Sequence, residues 1–293
     1  MVREGLGAAQ FAAPAHPARM QRGSSPHAGE QAERSRQHIL VYPSKTPENT
    51  VFQGLLAGDS NAVRLLRAPG VYTPQDDTAL LVEALHAAAI APGGRVLDIG
   101  TGTGALAIAA IRAGAAEVTG VDVSRRAVWT ARVNAALQRV PLRVRLGNAL
   151  DVVADESFDL VLSNPPYVPA ASTCAAKGPA RAWDAGLDGR QLLDPLCARI
   201  HDLLVPGGVL LMVHSALCGV DTTLQRLRDC GLKAAVVQRR WVPFGPVMNG
   251  RIGFLEQHGL IEAGQRHEEL VVIRGDRPER PQGDGGAERA DAR

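Results

Sequence analysis

From residue 95 onward, short apolar runs alternate with longer stretches in which apolar residues recur every three or four positions. Short continuous runs suit strands covered on both faces, and the three-to-four spacing suits helices with one covered face. The pattern predicts strands over 95–100, 117–122, 142–147, 158–163, 208–214, 234–242 and 269–274, and helices over 103–113, 125–138, 190–204 and 220–230. Ahead of these, the apolar positions of DTALLVEALHAAA, beginning at Asp77, predict a helix that leads through Pro92-Gly93-Gly94 into the first strand. Strands alternating with helices imply a mostly parallel sheet with helices on both faces. Residues 243–268 carry no convincing long helix, so the last two strands are expected to be antiparallel neighbours at one edge.

The two ends read differently. Residues 1–37 are rich in alanine, proline, glycine and arginine without apolar periodicity, and 276–293 are almost free of apolar side chains, so both are expected to be disordered tails. Between the first tail and a domain expected at 67–275, the segment VFQGLLAGDSNAVRLLR has helical spacing weakened by Gly54 and Gly58. Residues 38–66 are read as an extension that packs on the domain or faces a partner. With 293 residues, 45% of them hydrophobic, the chain can bury a large core.

Arginine supplies nearly all the positive charge, yet the formal net charge is only +2, which is no footprint for a phosphate backbone. Cys174, Cys197, Cys218 and Cys230 show neither C-x-x-C pairing nor a histidine at metal spacing, so reduced thiols and no metal site are expected. No apolar run approaches a membrane span, and a cytoplasmic protein is expected. His214-Ser215 ends a strand without a G-x-S-x-G elbow, which argues against a serine hydrolase.

Two stretches carry chemistry. RVLDIGTGTGALAIAA, Arg95 to Ala110, is a buried strand, a glycine turn and a helix, the arrangement that lets backbone approach a ligand closely. About twenty residues on, the second strand ends in Asp122, where an acid accepts from ribose hydroxyls. Gly100, Gly102 and Ala105 formally satisfy a dinucleotide fingerprint, so NAD or FAD stays open on this evidence alone, although Asp98 suits an amino-bearing cation better than a pyrophosphate. The other stretch is Asn164-Pro165-Pro166-Tyr167, directly after the strand that ends at Ser163. Its prolines force extended backbone and donate no N–H, so the Asn164 side-chain oxygen and the Pro165 carbonyl face outwards as two acceptors for a planar NH2 group.

Taken together, D-x-G-T-G-T-G, Asp122 and N-P-P-Y resemble the class I S-adenosylmethionine-dependent methyltransferases, an α/β Rossmann-like fold with a mostly parallel seven-stranded sheet and an antiparallel last strand. VYTPQDDT, Val71 to Thr78, and AWDAGLDGR, Ala182 to Arg190, narrow the resemblance to the HemK-related glutamine N5-methyltransferases over about 67–275, and to their short branch without an N-terminal helical domain. The resemblance implies S-adenosylmethionine as cofactor, held by Thr78, Asp98, Gly100, Thr101, Gly102, Gly104, Asp122, Val123, Asn148, Ala149 and Asn164. It implies Asn164, Pro165 and Tyr167 as the catalytic set, and Tyr72, Thr73, Pro74 and Thr78 as a lid. The implied substrate is the Gly-Gly-Gln glutamine of peptide-chain release factors, with room for an activating subunit. Where the family puts an acid after the third strand, this chain has Asn148, with Asp151 as a candidate substitute. Asp77 or Thr78 is read as a helix cap, and Asp188-Gly189 as a turn. The alternatives are an exocyclic amine of DNA or RNA as acceptor, and a cofactor-binding protein without catalysis.

Overall fold

A computed structural model describes residues 52–54, 63–88, 93–172 and 176–279 of the chain. The expected tail 1–37, Cys174 and residues 280–293 lie outside the described residues, whereas the start of the expected tail 276–293 is ordered: Asp276 ends a strand and Arg277 exchanges backbone hydrogen bonds with Gly207 and Gly208. In chain order the elements are β1 (Phe52–Gly54), β2 (Val63–Leu65), α1 (Asp76–Ala87), β3 (Arg95–Ile99), α2 (Ala105–Arg112), β4 (Glu117–Asp122), α3 (Arg125–Leu137), β5 (Leu142–Leu146), α4 (Ala149–Val152), β6 (Phe158–Ser163), α5 (Leu193–Leu203), β7 (Leu204–Ser215), α6 (Val220–Asp229), β8 (Lys233–Pro243), α7 (Pro246–Asn249), α8 (Ile252–Gln257) and β9 (His267–Asp276). Short 3₁₀ turns occupy Gly178–Ala182 and Ala216–Cys218.

Seven strands form one sheet in the order β5-β4-β3-β6-β7-β9-β8, parallel except that β9 runs antiparallel to both β7 and β8. Successive residues in the central strands serve opposite faces. In β6, Val161 joins a core with Leu193, Ile200 and Leu227 of α5 and α6, while Leu160 and Leu162 join one with Leu80, Leu81 and Ala107 of α1 and α2. Covering both faces removes the need for polar residues at alternate positions, which is why these strands read as continuous apolar runs. The chain winds outwards through β3, β4 and β5, then returns to place β6 beside β3 with Ile99 opposite Ser163. That reversal opens a crevice beyond the carboxyl ends of β3 and β6. Gly100 and Asn164, the next residues of the two strands, therefore begin side by side.

Several elements differ from expectation. The 38–66 extension, assigned no element from its weakened helical spacing, holds two short strands at its described parts, with Phe52 opposite Leu65 in an antiparallel pair. Leu65 packs on Ile108, and the Leu66 N–H and carbonyl pair with the Asn134 side chain at 2.7 and 2.9 Å, so this end of the extension is fastened to the domain. β7 starts at Leu204, not 208, because Gly207 takes φ +81 and Gly208 passes where a Cβ would lie 3.0 Å from the Phe158 carbonyl, keeping the Pro206-Gly207-Gly208 stretch against β6 as an irregularity. Residues 243–268 contain the short helices α7 and α8, held by packing of Phe244, Met248, Leu255 and Ile261 on Val168 rather than by helical length. Gln75, not Asp77 or Thr78, precedes α1 as its cap.

Candidate active site

The crevice is a cavity of about 370 Å³ built from the ends of four parallel strands and the start of α1. Of the residues expected from sequence, Thr78, Gly100, Thr101, Gly102, Asp122, Val123, Asn148, Ala149, Asn164, Pro165 and Tyr167 line it, as do Tyr72 and Pro74. Three do not. Gly104 packs against α3, where a Cβ would stand 3.3 Å from that of Ala131. Thr73 turns outwards and accepts from the Arg67 guanidinium at 2.8 Å. Asp98, fully buried, lies behind the glycine loop rather than on the cavity wall.

Asp98 accepts from the Thr101 hydroxyl at 2.7 Å and from the Ala107 N–H at 3.2 Å through one oxygen, which ties the loop to the first turn of α2. Its other oxygen has no partner, and burial pushes the carboxyl up to about 7. The glycine loop also leans on β4: Gly100 and Thr101 donate to the Val121 carbonyl, and Gly102 donates to the Asp122 carboxylate at 3.0 Å. Gly100 has φ +75, and a Cβ there would meet nothing within 4 Å, so its missing side chain opens space towards the crevice. Burial raises the Asp122 carboxyl as well, against the lowering effect of the Ser124 and Gly102 N–H groups.

The third strand end departs from expectation. Asn148 caps α4, its side-chain oxygen accepting from the Leu150 N–H at 3.2 Å. Asp151 lies outside the cavity, 69% exposed, and faces Arg199 at 3.8 Å. A carboxylate in the first turn of a helix faces solvent unless the helix packs that side, so Asp151 does not replace the expected acid. The wall here is apolar, from Val123, Leu150, Leu192, Pro195 and Leu196, of which only Val123 was anticipated.

At the β6 end the Asn164 side-chain NH2 donates to the Thr78 hydroxyl at 3.3 Å. The Tyr167 hydroxyl donates to Asp77 at 3.0 Å, and so does that of Tyr72 at 2.6 Å. Asp77, only 3% exposed, thus gathers the lid and the N-P-P-Y segment around one carboxylate. Both phenols are pushed well above their ordinary value, first by burial and then by the Asp77 charge. Beyond Tyr167 the AWDAGLDGR segment folds straight back, with Val168 bridging to Asp184 and Ala170 donating to Gly186. Asp188 is exposed and accepts from the Arg190 N–H at 3.0 Å, the expected turn. Arg190, 7% exposed, donates to Cys218, Gly219 and Thr223, anchoring that turn to the end of β7.

His214 bonds the carbonyl of Ser215 rather than its hydroxyl, and burial lowers it to about 4, so this pair does not make an activated serine. Burial pushes Cys197 up to about 12 and raises Cys218, keeping both as thiols. Among the described residues no group of three ligating side chains could hold a metal, and no helix is long and apolar enough to cross a membrane.

The methyltransferase small domain family matches residues 62–177. A putative protein N5-glutamine methyltransferase of Methanocaldococcus jannaschii is 34% identical over 187 residues, covering 64% of this chain and 93% of that relative. The chain belongs to the HemK-related class I methyltransferases. A release factor glutamine methyltransferase of Deinococcus radiodurans is 38% identical over 183 residues, of which this chain spans 64% of the length. Among solved structures, the E. cuniculi Mtq2–Trm112 complex, described as responsible for methylating the eRF1 translation termination factor, shares the fold at TM-score 0.50 and 23% identity, over 71% of this chain and 99% of that one. HemK-related methyltransferases use S-adenosylmethionine, and two observations fit that cofactor: a buried Asp98 oxygen without a partner, and the open space beside Gly100. A cationic ligand offsets the cost of an ionised carboxyl held out of water.

Proposed function

We propose that this methyltransferase methylates a side-chain amide nitrogen, that of the glutamine in the Gly-Gly-Gln motif of a peptide-chain release factor. The observation that carries the reading is Asn164-Pro165-Pro166-Tyr167 lining the same cavity as the Gly100 to Gly102 loop and Asp122. The names of the relatives, a putative protein N5-glutamine methyltransferase and a release factor glutamine methyltransferase, support the choice of acceptor. Bound there, S-adenosylmethionine supplies a methyl group on a positively charged sulfur. Asp122 would hold the ribose hydroxyls, the Gly100-Thr101-Gly102 backbone the amino-acid end, and Asn148, Ala149 and Leu150 the adenine. Asp98, raised to about 7 by burial, would supply a negative charge from behind the loop once it ionises.

An amide nitrogen is a poor nucleophile because its lone pair is shared with the carbonyl. Acceptors at Asn164 and Pro165 would grip its two hydrogens, hold the nitrogen towards the methyl donor and favour the geometry in which the lone pair is available. As the nitrogen gains the methyl and the sulfur keeps the pair of the broken carbon–sulfur bond, the gripped N–H would become acidic, so its proton would pass to water entering after transfer without a strong base. Tyr167 closes one side and keeps water out. A nucleic-acid enzyme needs a basic recognition surface, and in the 236–251 stretch the arginines are paired within the fold: Arg239 with Glu269, Arg240 with Glu83 and Arg251 with Asp184. This favours protein over nucleobase as acceptor. The reading places the enzyme in the cytoplasm, where termination occurs.

The test is transfer of labelled methyl to purified release factor, beside a Gly-Gly-Ala release factor, total RNA, genomic DNA and the Asn164→Ala enzyme. Label on the wild-type release factor alone, lost with either substitution, supports the proposal. Label on nucleic acid with none on release factor overturns it. Repeating the assay with proteins that co-purify with the enzyme tests the activating subunit.

A further inference from the structure

We infer that Asp77 and Thr78 form a positioning relay that sets which end of the Asn164 amide faces the acceptor, presenting its oxygen and turning its NH2 group away. The relay follows from counting hydrogens. One Asp77 oxygen, Oδ2, is filled by the hydroxyls of Tyr72 at 2.6 Å and Tyr167 at 3.0 Å. Both phenols keep their protons, since burial and the Asp77 charge raise them. The other oxygen, Oδ1, accepts from the Thr78 N–H at 2.5 Å and from the Thr78 hydroxyl at 3.2 Å. An ionised carboxylate only accepts, and a hydroxyl has a single hydrogen, so that hydrogen is committed to Asp77. Towards Asn164, the Thr78 oxygen is left with lone pairs alone. The 3.3 Å contact between Asn164 and Thr78 must then be made by Nδ2, which leaves Oδ1 for the cavity.

The Asp77 carboxylate is a stronger acceptor than an amide oxygen, so it takes the one Thr78 hydrogen and thereby sets the Asn164 amide. The consequence is chemical. A planar NH2 acceptor needs an oxygen opposite it, and a reversed Asn164 would meet it donor to donor. Asp77 acts on the acceptor through Thr78 and Asn164, as a positioning residue.

This rests on the amide-acceptor reading above. Its test is Asp77→Asn, which is nearly isosteric. Two phenolic donors outweigh the single Thr78 N–H, so the oxygen of the introduced amide would face the phenols at the cost of that backbone bond; its NH2 group would then face Thr78 and turn the Thr78 hydroxyl towards Asn164, reversing that amide. In ligand-free enzyme labelled at asparagine, the nuclear Overhauser contact between the Asn164 NH2 and the Thr78 methyl is present in wild type and lost in Asp77→Asn. The turnover number should fall on the order of 10- to 100-fold, about 1.4 kcal/mol per tenfold, with cofactor affinity within about twofold. Adding Asn164→Asp to Asp77→Asn should restore part of the rate, because the carboxylate so introduced accepts from the turned hydroxyl and shows an oxygen to the cavity. The relay is overturned if the Overhauser contact survives in Asp77→Asn, if it is lost with no change in turnover, or if the double variant is no faster than Asp77→Asn. The ligand-free contact needs no acceptor, so a wrong acceptor assignment and a wrong relay give different results.

Discussion

Gly189 is the position where a single methyl group should do most damage to transfer while leaving the cofactor site intact. Its φ is +76, and an added Cβ would lie 2.4 Å from the Tyr167 carbonyl oxygen and 2.7 Å from the Cys218 sulfur. A left-handed alanine costs about 1–2 kcal/mol. Overpacking adds about 1–3 kcal/mol, and neither neighbour can give way cheaply: the oxygen is backbone of the N-P-P-Y segment, and the sulfur donates to it at 3.1 Å. Gly189→Ala should therefore lose about 2–5 kcal/mol of stability, and at about 2–4 °C per kcal/mol for a domain of this size its Tm should drop by roughly 4–20 °C. The strain falls on Tyr167 and, through the rigid prolines, on Asn164. Protein that remains folded at low temperature should bind S-adenosylmethionine within about threefold of wild type, because the glycine loop and Asp122 sit on other strands, while single-turnover transfer drops by more than about tenfold. Adding Cys218→Ala removes only the looser overlap and should recover less than half of the lost stability. Thermal unfolding, calorimetry and rapid-quench transfer check the three parts. An alanine variant with wild-type Tm and wild-type transfer would refute the packing argument outright.

Asp122→Ala should weaken cofactor binding about 10- to 100-fold by calorimetry, since charge-assisted hydrogen bonds contribute about 1.5–3 kcal/mol. Asp151→Ala should leave that affinity unchanged; a tenfold loss would restore it as the adenine contact. Asp98 gives a pH dependence of fixed sign. Its folded value of about 7 lies above the ordinary 3.8, so its contribution to stability is fully present below about pH 4 and is lost by about pH 7. Cofactor binding should show the opposite trend, tightening as pH rises through about 7 with proton release, and Asp98→Asn should flatten the binding profile. Calorimetry in buffers of different ionisation enthalpy measures the released proton directly.

Much of this architecture could be read from residue patterns because the central strands are covered on both faces and the glycine and N-P-P-Y turns sit at their ends. The seven strands and the crevice between β3 and β6 follow from that alternation. What escaped sequence reading depends on partners distant along the chain. Asp77 reads as one more acid in a helical first turn, and its role arises only when Tyr167, ninety residues later, reaches it. Asn148 reads as a stand-in for an acid, but its oxygen is claimed locally by the Leu150 N–H. Leu192, Pro195 and Leu196 line the cavity because α5 passes over it, a fact of docking that helical periodicity does not contain. The short helices α7 and α8 are below the length at which propensity alone stabilises a helix, and their packing on Val168 is a tertiary event.

The placing of β9 has a consequence for biosynthesis. This last strand is hydrogen-bonded on both sides, between β7 and β8, although it is made after both. Every residue that lines the cofactor cavity has been synthesised by Leu196, yet until His267–Asp276 has emerged β7 lacks its outer neighbour and β8 has nothing to pair with. The emerging chain thus passes through a stage with its chemistry complete and its sheet open at the edge most prone to sticking to other strands. The final strand works as a completion signal, and a chain released early should be recognised by chaperones or proteases before it can act as an enzyme.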